Sequence, residues 1–150
     1  VPIVPLRGEI LRMDAGEGLD HDLADFEVSL FSRRGLIWIG TTEENCGFNV
    51  NPSANTRHML IAGALKLVPS MRNAKLVKHT VCLRPVTPDW LPLIGLVPDY
   101  SNVFLATGAG KKGILLSTGL GRSIADLVTL GTTDLPVDAF EPGRFDINLC

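Results

Sequence analysis

Leu83-Arg84-Pro85-Val86-Thr87-Pro88-Asp89-Trp90-Leu91-Pro92-Leu93-Ile94-Gly95 sets one arginine on a run of three prolines. The Pro85 ring excludes the helical region for the residue before it, so Arg84 is held extended. Thr87 and Leu91 also precede prolines, which leaves the connection little conformational freedom to lose when a ligand arrives. A guanidinium offers a carboxylate two parallel N–H donors, a fit that lysine cannot copy. Two roles are therefore open to Arg84: anchoring a carboxylate ligand, or pairing with a local acid such as Asp89 to tie the loop. Asp89 reads as a turn residue, because its carboxylate can close the bend by an Asx-type hydrogen bond.

Downstream, Asn102 to Thr107 reads as a strand, and Ile114 to Leu130 as a helix stopped by Gly131. Between them, Gly108-Ala109-Gly110-Lys111-Lys112-Gly113 formally satisfies the dinucleotide fingerprint GxGxxG. A Rossmann unit needs a second parallel strand after the helix with an acid at its end, and here Gly131, Thr132, Thr133 and a proline-containing tail follow instead. What remains is local: backbone N–H groups and the positive end of a helix dipole favour negative charge placed against them. Adjacent Lys111 and Lys112 read either as solvated residues or as contacts to a carboxylate or cofactor. Ser117, Gly119, Gly121, Ser123 and Ala125 make the helix unusually small-faced, at a cost of about 1 kcal/mol for each interior glycine relative to alanine. Something must approach this helix closely, from inside the domain or from outside it.

Upstream, Arg7 to Met13 is a short extended run. Phe26 to Phe31 and Leu36 to Gly40 form a hairpin around Ser32-Arg33-Arg34-Gly35, whose glycine accepts positive φ. From about Ser53 the period becomes helical through Leu60, Ile61, Ala64, Leu65 and Val68, with Ser53 or Asn55 as N-cap and Pro69 near the stop. Leu76 to Leu83 returns to strand, with Arg84 on the face of Thr80 and Cys82, and Leu91 to Leu96 is a further short strand. These elements give an α+β class: a mixed or antiparallel sheet with two main helices.

The 150 residues, 45% hydrophobic and 20% charged, suffice for a core. A net charge of -2 without a basic cluster excludes the footprint of a nucleic-acid binder. No uninterrupted apolar run approaches the roughly 20 residues of a membrane span, so a cytoplasmic location is the expectation. Cys46, Cys82 and Cys150 are odd in number without CxxC spacing, and His21, His58 and His79 show no metal-ligand pattern, so zinc and disulfide frameworks are not expected. The histidines read as ordinary polar or core residues. A mean hydropathy of +0.23 points to apolar surface that meets a partner or a further part of the chain.

The tandem of Leu83–Gly95 and the glycine turn resembles the carboxy-terminal signature of the FAD-dependent D-amino-acid oxidase and glycine oxidase family, an LRPxTPDxLPxIG strand pair followed by a turn and helix. Phe140-Glu141-Pro142-Gly143-Arg144-Phe145 is similar to the family's PFxPxRF close, and Gly40-Thr41-Thr42-Glu43-Glu44 to a GxTxExxGF segment near the substrate cavity. Read without the family, that last segment is a turn with solvated acids. The resemblance implies the substrate-binding part of the fold plus its final cofactor-contacting helix. On this basis 6–96 would be the substrate-binding sheet and helix, 102–131 a strand and helix packing on an absent FAD-binding domain, and 132–150 a tail.

It implies also that Arg84 grips a substrate carboxylate, that Lys111 is a second substrate contact, and that backbone from Gly110 through Lys111, Lys112, Gly113 and Ile114 to Leu115 lies against the flavin. Relatives carry histidine and an aromatic or arginine in this turn, where Ala109, Gly110 and Lys111 stand here, so the substrate pocket is expected to differ. The implied reaction is oxidation of a small amino acid or secondary amine to an imine by hydride transfer to FAD. The family's glycine-rich opening that holds the ADP half of FAD does not occur in this sequence. The chain alone is therefore expected to lack FAD and activity, and its expected partners are a small amine substrate and an amino-terminal FAD-binding segment or subunit. A homo-oligomer is left open. The competing class is a non-catalytic module that binds small carboxylates through Arg84 or proteins through the exposed helix.

Overall fold

The computed structural model describes residues 1–145, so Cys150 and the end of the tail lie outside the described residues. The chain divides into two compact units: Arg7–Leu83, and Val1–Leu6 together with the chain from Arg84 onward.

The first unit is built on a sheet of order β2-β3-β4-β1-β5. Its strands are β1 (Val4–Asp14), β2 (Leu23–Ala24), β3 (Ser29–Arg33), β4 (Leu36–Gly40) and β5 (Lys75–Val86). β3 and β4 form the expected antiparallel hairpin, with Arg33 opposite Leu36 across a tight Arg34-Gly35 turn. β3 begins at Ser29 and not at Phe26, because the Asp25 carboxylate accepts hydrogen bonds from the Glu27 and Val28 N–H groups and bends the chain first.

The pleat sorts the side chains. Leu11, Ile39 and Leu30 lie level across β1, β4 and β3 and enter the core, as do Met13 and Ile37. Their neighbours Arg12, Trp38 and Phe31 take the opposite face, where the Arg12 guanidinium lies 4.1 Å from the Trp38 ring centre.

Helix α1 (Ala54–Leu67) covers the core face through Leu60 and Ala64. Ser53 is its N-cap, accepting the Thr56 N–H at 3.2 Å, and Pro69 opens a 3-10 turn just past its end. The helix sits close to the sheet: a Cβ at Gly63 would come 2.8 Å from a Val28 methyl.

The second unit contains an antiparallel hairpin, β6 (Leu93–Leu96) with β7 (Phe104–Thr107), and helix α2 (Gly113–Leu130). Gly131 caps α2 in the left-handed conformation, donating its N–H to the Leu127 carbonyl. After α2 the described chain forms only 3-10 turns, at Asp138–Phe140 and Pro142–Arg144, so no second parallel strand closes a Rossmann unit among the described residues. One stretch, Gly110–Leu130, is long and apolar enough to cross a membrane by length and composition. Its apolar run is broken by Lys111 and Lys112 and by Arg122 and Asp126, the last two 3.4 Å apart as an i, i+4 pair.

Candidate functional site

Arg84 is half-buried near the end of β5, two residues before Val86. Val86 forms an isolated antiparallel bridge with Ala109, so the stiff arginine segment and the glycine turn lie side by side within one unit. Two glycines permit this approach, both at positive φ, a region side chains other than glycine's rarely enter. A Cβ on Gly108 would stand 2.8 Å from the Thr87 methyl and 3.1 Å from Ile3, and one on Gly110 would stand 3.0 Å from Val86.

The loop after Arg84 is tied from within. Thr87 is 1% exposed and donates its hydroxyl to the Leu91 carbonyl at 2.7 Å. The Leu91 N–H donates to Asp89 Oδ1 at 3.0 Å, the Asx turn expected from the sequence. Asp89 pairs with Arg144, 55 residues away, whose Nε and one Nη reach the two carboxylate oxygens at 2.7 and 3.2 Å. Arg144 also donates to the Leu91 carbonyl at 2.8 Å. These bonds, from Arg144 first, hold the Asp89 carboxyl well below the usual carboxylate range. The PFxPxRF-like tail is thus a clamp on the proline loop, with Pro142 buried against Gly95.

The turn enters α2 through a 3-10 step, Gly110–Lys112. No side chain caps the helix, whose first turn contains Gly113, Ile114 and Leu115. Lys111 and Lys112 are exposed, as are Ile114 at 92% and Leu115 at 79%. An uncapped helix start beside a glycine turn, with its apolar first turn bare, fits the electron-rich edge of a flat heterocycle. Gly119 and Gly121 have open space where a Cβ would stand, so at these two positions the described chain does not make the close approach that the small-residue helix predicts, whereas Ser123 is buried.

In the other unit the Glu43-Glu44 segment departs from a solvated turn. Arg7 of β1 exchanges two backbone hydrogen bonds with Glu44, at 2.9 and 3.0 Å, and its Nη2 reaches Glu44 Oε2 at 2.6 Å. The same nitrogen is 2.9 Å from Oε1 of Glu9, a fully buried carboxylate. Glu9 Oε2 accepts the Ser53 N–H at 3.1 Å and lies 2.5 Å from His79 Nε2. His79 is thus a half-buried polar residue set against the Glu9 carboxylate. Burial alone would raise the Glu44 carboxyl, but hydrogen bonds from Thr42 and Arg7 outweigh it and hold the group below its ordinary range. A cavity of about 730 Å3 opens here, walled by Thr41–Glu44 on one side and by Asn55, Thr56 and Met59 of α1 on the other.

The sequence missed Arg7, Glu9 and Arg144. Apart from the Arg7–Glu9 pair itself, their partners lie tens of residues away, and for Arg7 and Glu9 the one cue was the recurrence of charges within an apolar strand.

Comparison with known proteins agrees with this geometry. The family model described as FAD dependent oxidoreductase matches residues 1–127. Glycine oxidase of Pseudomonas aeruginosa is 34% identical over 131 residues, covering 86% of this chain and 36% of that protein. D-amino acid dehydrogenase of Paramagnetospirillum magneticum is 31% identical over 97% of this chain and 35% of that protein. The crystal structure of glycine oxidase from Geobacillus kaustophilus superposes with a TM-score of 0.89 at 30% identity, over 97% of this chain and 40% of that one. The chain thus spans little more than a third of the curated relatives it matches. With an α+β fold, an Arg-Pro strand end docked on a glycine turn, and a match over most of its length, the chain belongs to the FAD-dependent oxidoreductase family of the D-amino-acid and glycine oxidases.

Proposed function

We propose that this chain is the substrate-binding and closing portion of a flavoprotein that oxidises a small amino acid or secondary amine to an imine. The observation that carries this reading is the bridge between Val86 and Ala109, which holds the Arg84 segment against the uncapped start of α2. FAD, when bound, supplies the acceptor for the hydride that leaves the substrate carbon. The chain's own residues do the rest. Arg84 fixes the substrate carboxylate by a bidentate pair, and Lys111 is its second contact. Backbone from Gly110 to Leu115, including Lys112, Gly113 and Ile114, faces the cofactor and favours its negative charge. No strong base is needed, because the amine can enter neutral.

A separate amino-terminal FAD-binding segment or subunit completes the enzyme in this proposal, and the bare apolar side of α2 is its docking face, protein-covered and not lipid-covered. The free thiols of Cys46 and Cys82 suit a reducing cytoplasm.

Arg84→Met and Arg84→Lys in the complete flavoprotein test the assignment. Loss of kcat/KM for glycine, sarcosine or a D-amino acid by about 10²-fold or more, with the flavin spectrum retained, is expected for both. Unchanged kinetics in Arg84→Met would overturn it. The 150-residue chain alone is expected to hold no flavin, and a stoichiometric yellow complex would contradict that. Calorimetry separates the competing module, which would bind glycine or sarcosine without flavin.

A further inference from the structure

We propose that Arg144 is a positioning residue: by clamping the loop 87–91 from the tail, it fixes the strand end that carries Arg84 against the glycine turn and so sets the affinity for the substrate carboxylate. The clamp stands on contacts within one unit of the chain, while its effect on substrate rests on the function proposed above.

Each nitrogen of the Arg144 guanidinium donates a hydrogen bond. Nη1 donates to the Glu141 carbonyl at 3.2 Å, which holds the side chain back against its own 3-10 turn, and that turn is seated by the fully buried Pro142 beside Gly95. Nε and Nη2 are thereby aimed at the Asp89 carboxylate, and Nη2 also reaches the Leu91 carbonyl. The Leu91 oxygen is the one that accepts the Thr87 hydroxyl, so tail and loop meet on a single atom. Thr87 stands three residues after Arg84, with the fixed φ of Pro85 between them, and its methyl lies where a Cβ on Gly108 would collide. A shift at Leu91 is therefore passed to Thr87, and from there to the glycine turn and to the Val86–Ala109 bridge two residues from Arg84.

The loop needs a clamp because its backbone is not relaxed. Trp90 sits at φ 63°, in the left-handed region that a bulky side chain enters at an energetic cost, and it is exposed, so packing does little to offset the strain. Its two neighbours, Asp89 and Leu91, are the residues that Arg144 grips. The ion pair itself adds little net stability, since both side chains keep contact with water. What a bidentate fork does supply is direction, and direction is what a substrate-anchoring guanidinium on the same segment requires.

The test has two arms. In the 150-residue chain, hydrogen exchange is compared between wild type, Arg144→Met and Asp89→Asn. The Trp90 and Leu91 amides are expected to exchange about tenfold faster or more in both variants, with β3, β4 and α1 unchanged. Unchanged exchange over residues 87–91 would mean no clamp, and uniform acceleration a merely structural residue; either result overturns the proposal. In the complete flavoprotein, Arg144→Met is expected to raise KM for the amino acid about tenfold with kcat within about twofold and the flavin spectrum intact. Arg144→Lys, which lacks the fork, is expected to behave like Arg144→Met. Adding Arg144→Met to Arg84→Met should leave kcat/KM where Arg84→Met put it, because the clamp acts through that anchor. An unmoved KM, or full additivity of the two substitutions, refutes the link to substrate. If the wild-type flavoprotein oxidises no amine, the proposed function fails while the exchange arm still decides the clamp.

Discussion

At the scale of single residues, Asp25, Glu44 and Asp89 are carboxylates held below their ordinary range, the first by the Val28 and Glu27 N–H groups. Asp89 is held down by Arg144, and Glu44 by Thr42 and Arg7. A carboxyl with a depressed native pKa stabilises the fold fully above its unfolded value, and the contribution disappears as pH falls through the native value. Melting temperature should thus be flat near neutrality and decline as pH drops below about 4. Asp89→Asn is expected to start about 0.5–1 kcal/mol less stable at pH 7, a magnitude discounted for partial exposure of the pair, and to show a shallower acid slope. Scanning calorimetry from pH 7 to 3 checks both; an acid slope equal to wild type would remove Asp89 from the account. Arg84 shows what a sequence makes legible at this scale. A proline fixes its neighbour locally, so the stiffness of the Arg84 segment needs no tertiary knowledge. Arg7 and Glu44 are 37 positions apart, and only the fold brings them together.

Elements were legible where their ends carry local chemistry. Ser53 and Gly131 mark the start of α1 and the end of α2 because caps satisfy orphan backbone groups with nearby atoms. The start of β3 was not, since a carboxylate at Asp25 bends a run whose alternation continues through it. Two glycines in helices make opposite predictions. Gly63→Ala pushes a methyl into Val28 and should cost about 1–3 kcal/mol by urea unfolding. Gly119→Ala meets nothing and should stabilise this chain by up to about 1 kcal/mol. Should α2 be the docking face proposed above, the same Gly119→Ala weakens assembly of the flavoprotein, so a gain in the chain and a loss in flavin retention are expected together. A loss of stability in both would mean that Gly119 is packed inside the chain. Ser53→Ala removes a cap and should cost about 1 kcal/mol, measurable in the same unfolding experiment.

For the whole molecule, the apolar balance visible in the sequence has an address. Ile114, Leu115, Val128 and Leu130 are exposed on α2, and the high mean hydropathy reflects such surface more than an oversized core. The prediction is dye binding by the isolated chain in its folded state, suppressed when the rest of the flavoprotein is supplied; a fluorescent apolar probe measures it, and no signal from the folded chain would count against a bare helix. The two units also differ in continuity. Arg7–Leu83 is one uninterrupted stretch, whereas Val1–Leu6 belongs with residues from Arg84 on. A ribosome therefore releases everything the first unit needs before it has made the other half of the second. Val1–Leu6 can join its unit only after more than seventy further residues have emerged, a long loop closure that is entropically slow. Vectorial synthesis should thus finish Arg7–Leu83 first and stitch Val1–Leu6 in last, so that pulse-labelled nascent chains gain protection in the hairpin and α1 well before they gain it at Ile3.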